Sequence, residues 1–85
     1  MNLATHFVYI LRCQTSRRFY TGYSTDPHRR LEEHNAGESF ATKPYGPWDL
    51  AFYAGFETEE LAKSLERYLK AGSGKAFAYK RLVRR

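Results

Sequence analysis

Apolar runs mark three segments of the chain as predicted strands. Residues Phe7 to Arg12 and Phe19 to Tyr23 are rich in aromatic and β-branched residues, and the polar stretch Gln14 to Arg18 separates them. This pattern predicts an antiparallel hairpin with a long connecting loop. Residues Leu50 to Phe56 have the same character and predict a third strand, after a loop rich in Gly and Pro over residues 38–48.

Helical signals follow the second and third strands. Asp26 before Pro27 is typical of a helix start, and that helix should continue to about Asn35, where Gly37 can close it. Thr58 can cap the next helix. Its apolar positions recur at the spacing of one helix face, at Leu61, Leu65, Tyr68 and Leu69.

The chain beyond this second helix predicts one more element. Gly72-Ser73-Gly74 should end the second helix, and residues Lys75 to Arg85 should form a final basic helix. The element order is then β-β-α-β-α-α. It predicts an α/β fold of the α+β kind, with a small three-stranded antiparallel sheet flanked by helices. With 85 residues, the chain is expected to form a single domain over residues 1–85.

Charge adds a functional expectation. The net charge is +5, and the last eleven residues contain no acid but five basic residues, which are Lys75, Lys80, Arg81, Arg84 and Arg85. Such a surface suits a polyanion, although a solvated terminal helix would have the same composition. A single cysteine, Cys13, excludes an intrachain disulfide and favours a reducing, cytoplasmic setting. No apolar stretch is long enough for a membrane span, so a soluble protein is expected.

Several polar side chains are placed where they could meet. Tyr9 and Tyr20 lie on paired strands, and Gly22 marks a position where the backbone turns sharply or approaches a ligand. In the first helix Arg30 and His34 are four residues apart and share a face, with Leu31 as the expected core contact.

The second helix carries a further pair of this kind, Glu66 and Lys70, also four residues apart. Each of these features has an ordinary structural explanation when taken alone. Strand tyrosines usually pack, and charged helix pairs are usually solvated surface pairs. The combination is far more specific than any single member.

Together these residues resemble the GIY-YIG nuclease domain. Phe7-Val8-Tyr9 and Tyr20-Thr21-Gly22 are similar to its two signature tripeptides, and Arg30, His34 and Glu66 follow at fitting intervals. The resemblance extends from Phe7 to about Leu82 and is closest to small stand-alone bacterial members. It implies a metal-dependent endonuclease that hydrolyses DNA phosphodiester bonds.

The resemblance also implies roles for the site residues. Glu66 would bind Mg²⁺ (or Mn²⁺), an ion that often needs only one or two carboxylates besides substrate phosphate. Arg30 would stabilise charge on the phosphate. Tyr20 would orient and deprotonate the attacking water, with His34 as the alternative base, and Tyr9 would hydrogen-bond Tyr20.

Substrate contacts are expected from five further positions, which are Gly22, Tyr23, Arg29, Lys70 and Lys75. The chain departs from the family pattern in two places. Tyr23 stands where many members have Lys or a small residue, and no Asn follows Glu66. Ser73 or Lys75 could occupy space similar to that of the missing Asn.

The chain shows no dedicated module for reading base edges in a groove. We therefore expect low sequence specificity, or selection of branched or nicked DNA, in DNA repair or recombination. Phe40, Tyr45 and Trp48 could stack on unpaired bases, although Trp48 is better explained as a core residue. The alternative function is a catalytically weak nucleic-acid-binding module, or one that docks onto a larger repair or recombination partner.

Overall fold

A computed structural model describes residues 3–84 of the chain. The elements in chain order are strand β1 (His6–Cys13), strand β2 (Phe19–Ser24), helix α1 (Pro27–Asn35), strand β3 (Trp48–Phe56), helix α2 (Glu59–Lys70) and helix α3 (Gly72–Arg81). The three strands form one antiparallel sheet with the order β2-β1-β3. The predicted fold class and element order are confirmed.

Local capping fixes where α1 and α2 begin, as the sequence predicts. The Asp26 carboxylate accepts a hydrogen bond from the Arg29 amide at 3.2 Å, and Pro27 occupies the first turn of α1. The Thr58 hydroxyl accepts one from the Leu61 amide at 3.2 Å. Each bond satisfies an amide that has no partner within its own helix. Gly37, with φ of +79°, follows the end of α1 in the left-handed region.

The predicted boundary between α2 and α3 is wrong. Gly72-Ser73-Gly74 does not separate the helices but forms the first turn of α3, after the single extended residue Ala71. The reason is steric, because a Cβ atom at Gly74 would overlap the Tyr68 carbonyl group. Glycine here allows α3 to start directly against the last turn of α2. The last residue of the predicted helix, Arg85, lies outside the described residues.

The buried face of α2 also differs from the predicted one. Leu61 and Tyr68 are 54% and 45% exposed, whereas Ala62 and Leu69 are buried. Leu65 packs at the edge of the hydrophobic cluster to which Ala62 and Leu69 belong. The buried stripe is therefore displaced around the helix from the predicted one, towards the side that carries Glu66, which is itself only partly exposed.

Two hydrophobic clusters cover the two faces of the sheet. Val8 and Ile10 of β1 pack on one face, with residues from α2 and α3 that include Leu69 and Ala78. Tyr9 and Leu11 point to the opposite face, where Cys13, Trp48, Leu31 and Leu50 complete the second cluster. The core positions predicted for Leu31 and Trp48 are confirmed.

Strand β2 forms an outer edge of the sheet. Helices α1 and α2 both contact it, and their main clusters lie on opposite faces. Side chains from both helices can therefore approach one another around this edge. In residues 3–84, no helix combines the length and apolar character needed to cross a membrane.

Candidate active site

Tyr9 lies at the centre of the candidate site, and Gly22 makes room for it. The two residues are paired across β1 and β2. A Cβ atom at position 22 would overlap the phenol of Tyr9. The sequence suggested a turn or a ligand at Gly22, but the structure supplies a different reason. The glycine leaves room for the Tyr9 ring against the neighbouring strand.

A buried hydrogen-bond network starts from the Tyr9 hydroxyl. This hydroxyl lies 2.9 Å from Nε2 of His34, and Nδ1 of His34 lies 2.6 Å from the Thr42 hydroxyl. The exposed fractions of Tyr9, His34 and Thr42 are only 1%, 2% and 1%. These hydrogen bonds therefore satisfy polar atoms that would otherwise be buried without partners.

Burial also determines the charge states of Tyr9 and His34 in this network. It is the largest cause that raises the pKa of Tyr9 to about 12, so the phenol stays protonated at neutral pH. Burial, followed by the positive charge of Arg30, lowers the pKa of His34, so the imidazole is neutral. Both groups are satisfied when Tyr9 donates to Nε2 and the Nδ1–H group donates to Thr42.

Tyr20 contacts this hydrogen-bond network through its ring. Its ring centroid lies 6.4 Å from that of Tyr9 and 5.1 Å from that of His34. The resemblance implied a hydrogen bond between Tyr9 and Tyr20, but the Tyr9 hydroxyl bonds His34. Unlike His34, Tyr20 is partly exposed, so it can meet a ligand from solvent.

Arg30 reaches the same place from α1. Its guanidinium donates to the Glu33 carboxylate at 2.8 Å and interacts with Tyr9. The Glu33 hydrogen bond is the main cause that raises the pKa of Arg30, and the same bond lowers the pKa of Glu33. The Arg30 side chain is 32% exposed. It is thus a fixed cation with one side open to solvent.

Glu66 approaches from α2. Its side chain is 19% exposed, and one carboxylate oxygen lies 3.1 Å from the Lys70 ammonium. That ammonium is 5.9 Å from the Tyr20 ring centroid. The negative charge of Glu66 contributes to the raised pKa of Tyr9, after burial and the Tyr20 phenol. Groups from α1 and α2 therefore act on one tyrosine around the edge strand.

The donor set fits a hard divalent cation held by one carboxylate. Residues 3–84 contain no group of three or more His, Cys, Asp or Glu side chains that could hold a metal ion. Mg²⁺ does not need such a cage, because it keeps several waters and binds one or two carboxylates together with substrate phosphate. Glu66 acts electrostatically on Tyr9 and is paired with Lys70, so it could hold Mg²⁺ or Mn²⁺ if Lys70 moved aside.

Tyr23 is not brought to the site, although a substrate contact was predicted for it. Alternation along β2 puts it on the face opposite Tyr9 and Tyr20. There its hydroxyl lies 2.6 Å from Nδ1 of His6 and donates to Glu59 at 3.4 Å. Tyr23 therefore links β1 to the start of α2.

Two other predicted substrate contacts, Arg29 and Lys75, lie in different parts of the structure. Arg29 lies on the outer side of α1, 75% exposed, with Nε 3.3 Å from Glu33. Lys75 lies on α3, beside a pocket that Tyr20 and Lys70 also line.

Thr42 was not predicted as a site residue. No local pattern could reveal it, since it belongs to the loop after α1 and meets His34 only in the folded chain.

Comparisons with known proteins show which family the chain is similar to. A family model described as the GIY-YIG catalytic domain matches residues 5–80. A UPF0213 protein of Haloquadratum walsbyi is 42% identical over 67 residues, which cover 78% of this chain and 74% of that protein. The UPF0213 protein YazA of Bacillus subtilis is 35% identical over 71 residues, covering 82% and 71%.

A solved structure is also similar. The solution NMR structure of the UPF0213 protein BH0048 from Bacillus halodurans matches with a TM-score of 0.53 and 33% sequence identity. The match covers 88% of this chain and 82% of that one.

Proposed function

The chain belongs to the GIY-YIG nuclease superfamily, and on this basis we propose that it is a metal-dependent endonuclease that hydrolyses DNA phosphodiester bonds. One observation carries the proposal. Tyr20, Arg30, His34 and Glu66 come from three separate elements, and each contacts Tyr9 or acts on it electrostatically. Surface ion pairs and packing tyrosines alone would not require this convergence.

In this proposal, Arg30 binds the scissile phosphate. Its planar guanidinium suits phosphate oxygens and stabilises the charge that develops on them. Glu66 would hold Mg²⁺ or Mn²⁺, and a bound cation of this kind supplies Lewis-acid stabilisation of a phosphoryl oxygen. Lys70 would then leave Glu66 and contribute its charge to the substrate.

We assign the contact with the attacking water to Tyr20 and a positioning role to His34. Both ring nitrogens of His34 are engaged, and only 2% of the residue is exposed, so a water has no direct access to it. Tyr20 is partly exposed beside the same cluster. His34 therefore acts through Tyr9, holding the phenol against Gly22 and Tyr20.

For the substrate and setting, we propose DNA cut with low sequence specificity or selected by branches or nicks, in repair or recombination, within the cytoplasm. Supporting this, residues of all three helices belong to the two hydrophobic clusters on the sheet. Basic side chains bind phosphate groups regardless of the base sequence. The free cysteine, Cys13, is buried and suits a reducing compartment. The whole unit would act as one domain.

One observation favours a second candidate, a nucleic-acid-binding module with weak catalysis. Arg30 and Glu66, the groups that should meet the phosphate and the metal, are each paired with a charge of their own helix. A protein that kept these pairs when bound to DNA would bind without cutting. The docking of a larger partner could release them.

A plasmid-nicking assay separates the two candidates. Purified protein is incubated with supercoiled plasmid in Mg²⁺ or in EDTA, alongside Arg30→Ala and Glu66→Gln. Matched controls are Arg67→Ala and Glu60→Gln, which change exposed residues of the same charge on α2. We expect nicking only with metal, unchanged in the controls. It should be lost by about a hundredfold or more in the test variants, roughly 3 kcal/mol of transition-state stabilisation.

Equal nicking by wild type and Glu66→Gln would overturn the proposed role of Glu66. Salt-sensitive DNA binding without any nicking would favour the binding module. Circular dichroism spectra of every variant establish that lost activity does not reflect lost folding.

A further inference from the structure

We propose that a pocket beside Tyr20 binds one unpaired nucleobase next to the scissile phosphate. This inference rests on the proposed nuclease function and adds a substrate subsite to it. The pocket has a volume of about 330 Å³ and lies between β2, the end of α2, and α3. Its size falls within the usual range for small-molecule sites.

The walls of the pocket suit a flat, weakly polar ring. Ile10 and Leu69, both buried, provide an apolar floor. Phe19, Tyr20 and Tyr79 add aromatic surface, with the Phe19 and Tyr79 centroids 5.4 Å apart and their planes inclined at 47°. Aromatic side chains stack on bases of any sequence, because every base has a π-face.

The charge around the pocket suits the phosphates that flank a base. Lys70 and Lys75 line it, and none of its lining residues is acidic. Lys70 is paired with Glu66, but Lys75 has no ion-pair partner among residues 3–84. An apolar floor with a cationic rim matches a nucleotide better than a neutral apolar ligand, which would leave the Lys75 ammonium without an anionic partner.

Tyr20 connects the pocket to the candidate active site. The same side chain lines the pocket and lies against His34 and Tyr9. A base held in the pocket would therefore belong to a nucleotide adjacent to the bond that is cut. A base inside a duplex must be unstacked and unpaired before it can enter, whereas a base in a single strand or next to a nick enters more easily.

The main test uses the unaltered protein. A single-stranded oligonucleotide is first cleaved in Mg²⁺ to locate a cut, and an abasic nucleotide is then placed at each position in turn. We expect cleavage to fall roughly fivefold or more when one nucleotide flanking the cut is abasic, since the loss of stacking on a protein ring has an effect of at least about that size. Abasic nucleotides several positions away should have little effect. A uniform response at all positions would overturn the proposal.

A binding test in EDTA keeps this inference separate from catalysis. The fluorescent base 2-aminopurine replaces each base in turn, and its fluorescence should be quenched at one position in the complex by stacking on an aromatic ring. If no DNA is cut in Mg²⁺ but this positional quenching is seen in EDTA, the proposed function fails while the pocket stands. Uniform or absent quenching in a complex that does form would refute the pocket alone.

Two variants test the location of the site. Thr21→Leu places a larger side chain at the β2 wall of the pocket, and Lys75→Gln removes a rim charge. Both should weaken the positional quenching. Thr5→Leu and Lys63→Gln, which change exposed residues outside the pocket, should preserve it. Quenching that is equally strong in all four variants would place the base elsewhere.

Discussion

The Tyr9 hydroxyl lies 2.9 Å from Nε2 of His34, and this bond ties the central strand to α1 at the centre of the candidate site. Thr42 completes the arrangement by bonding the other ring nitrogen at 2.6 Å. All three groups are excluded from water, so each depends on its neighbour for a hydrogen bond. The position of the Tyr9 phenol is therefore fixed by a loop residue as well as by its own strand.

Tyr9→Phe should destabilise the protein by about 1–3 kcal/mol, because it leaves the buried Nε2 atom without a partner. Urea unfolding measures the change in the free energy of unfolding. Tyr53→Phe is the matched control, since Tyr53 is 50% exposed on β3. Equal stability of the two variants would show that the Tyr9–His34 bond contributes nothing to folding.

Gly22→Ala should be destabilised and should lose nicking activity, because its methyl group would displace the Tyr9 ring. Overpacking of this kind typically costs about 1–3 kcal/mol. Gly72→Ala serves as the control, since a Cβ atom there meets no other atom within 4 Å. Thermal unfolding and plasmid nicking are measured for both variants. If Gly22→Ala behaved like Gly72→Ala, the contact between Tyr9 and Gly22 would not constrain the site.

The stability of the protein should fall in mild acid because of His34. Its pKa is lowered in the folded state, mainly by burial, from an ordinary value of about 6.5. A lowered folded-state pKa stabilises the protein above the unfolded value, and this contribution is lost as the pH falls through the folded-state pKa. The midpoint of thermal unfolding should therefore decrease below about pH 6.5. An NMR titration in which the His34 ring protonates at or above that value would contradict the prediction.

DNA binding should depend on salt through the basic groove beside α3. Arg12, Lys80, Arg81 and Arg84 line this groove, which has a volume of about 760 Å³. Each phosphate contact contributes about 0.7 to 0.9 to the slope of log affinity against log salt. Changing Lys80, Arg81 and Arg84 together to Gln should reduce that slope by about 2 to 3. The control changes Lys63 and Arg67 to Gln, and equal slopes for both variants would exclude the groove as a phosphate path.

Local signals in the sequence were sufficient to predict most of the fold. Asp26 and Thr58 mark helix starts through hydrogen bonds within one turn, and strand composition identifies the three-stranded sheet. The start of α3 could not be predicted in this way. Gly74 reads as a helix terminator in sequence, but its function is to pack against Tyr68, a contact that exists only after α2 has formed.

The candidate site was predictable to the extent that its members are related by short spacings. Arg30 and His34 share a face of α1 because they are four residues apart. Thr42 could not be found, since its contact with His34 depends on the path of an irregular loop. The position of Tyr23 was available from strand alternation, which puts it opposite Tyr20 and Gly22. The chemical roles of all these residues stay predictions that the assays above test.

Tyr20, which is assigned the contact with the attacking water, lies on β2 at the rim of the sheet, and this has a topological consequence. A phosphodiester bond in the middle of a long polymer can come alongside an outer strand without any free end having to be threaded through the protein. The proposed nuclease should therefore act on a covalently closed circle as readily as on a linear molecule. Its products should then include nicked circles from the first turnover onward, with no shortening from the ends.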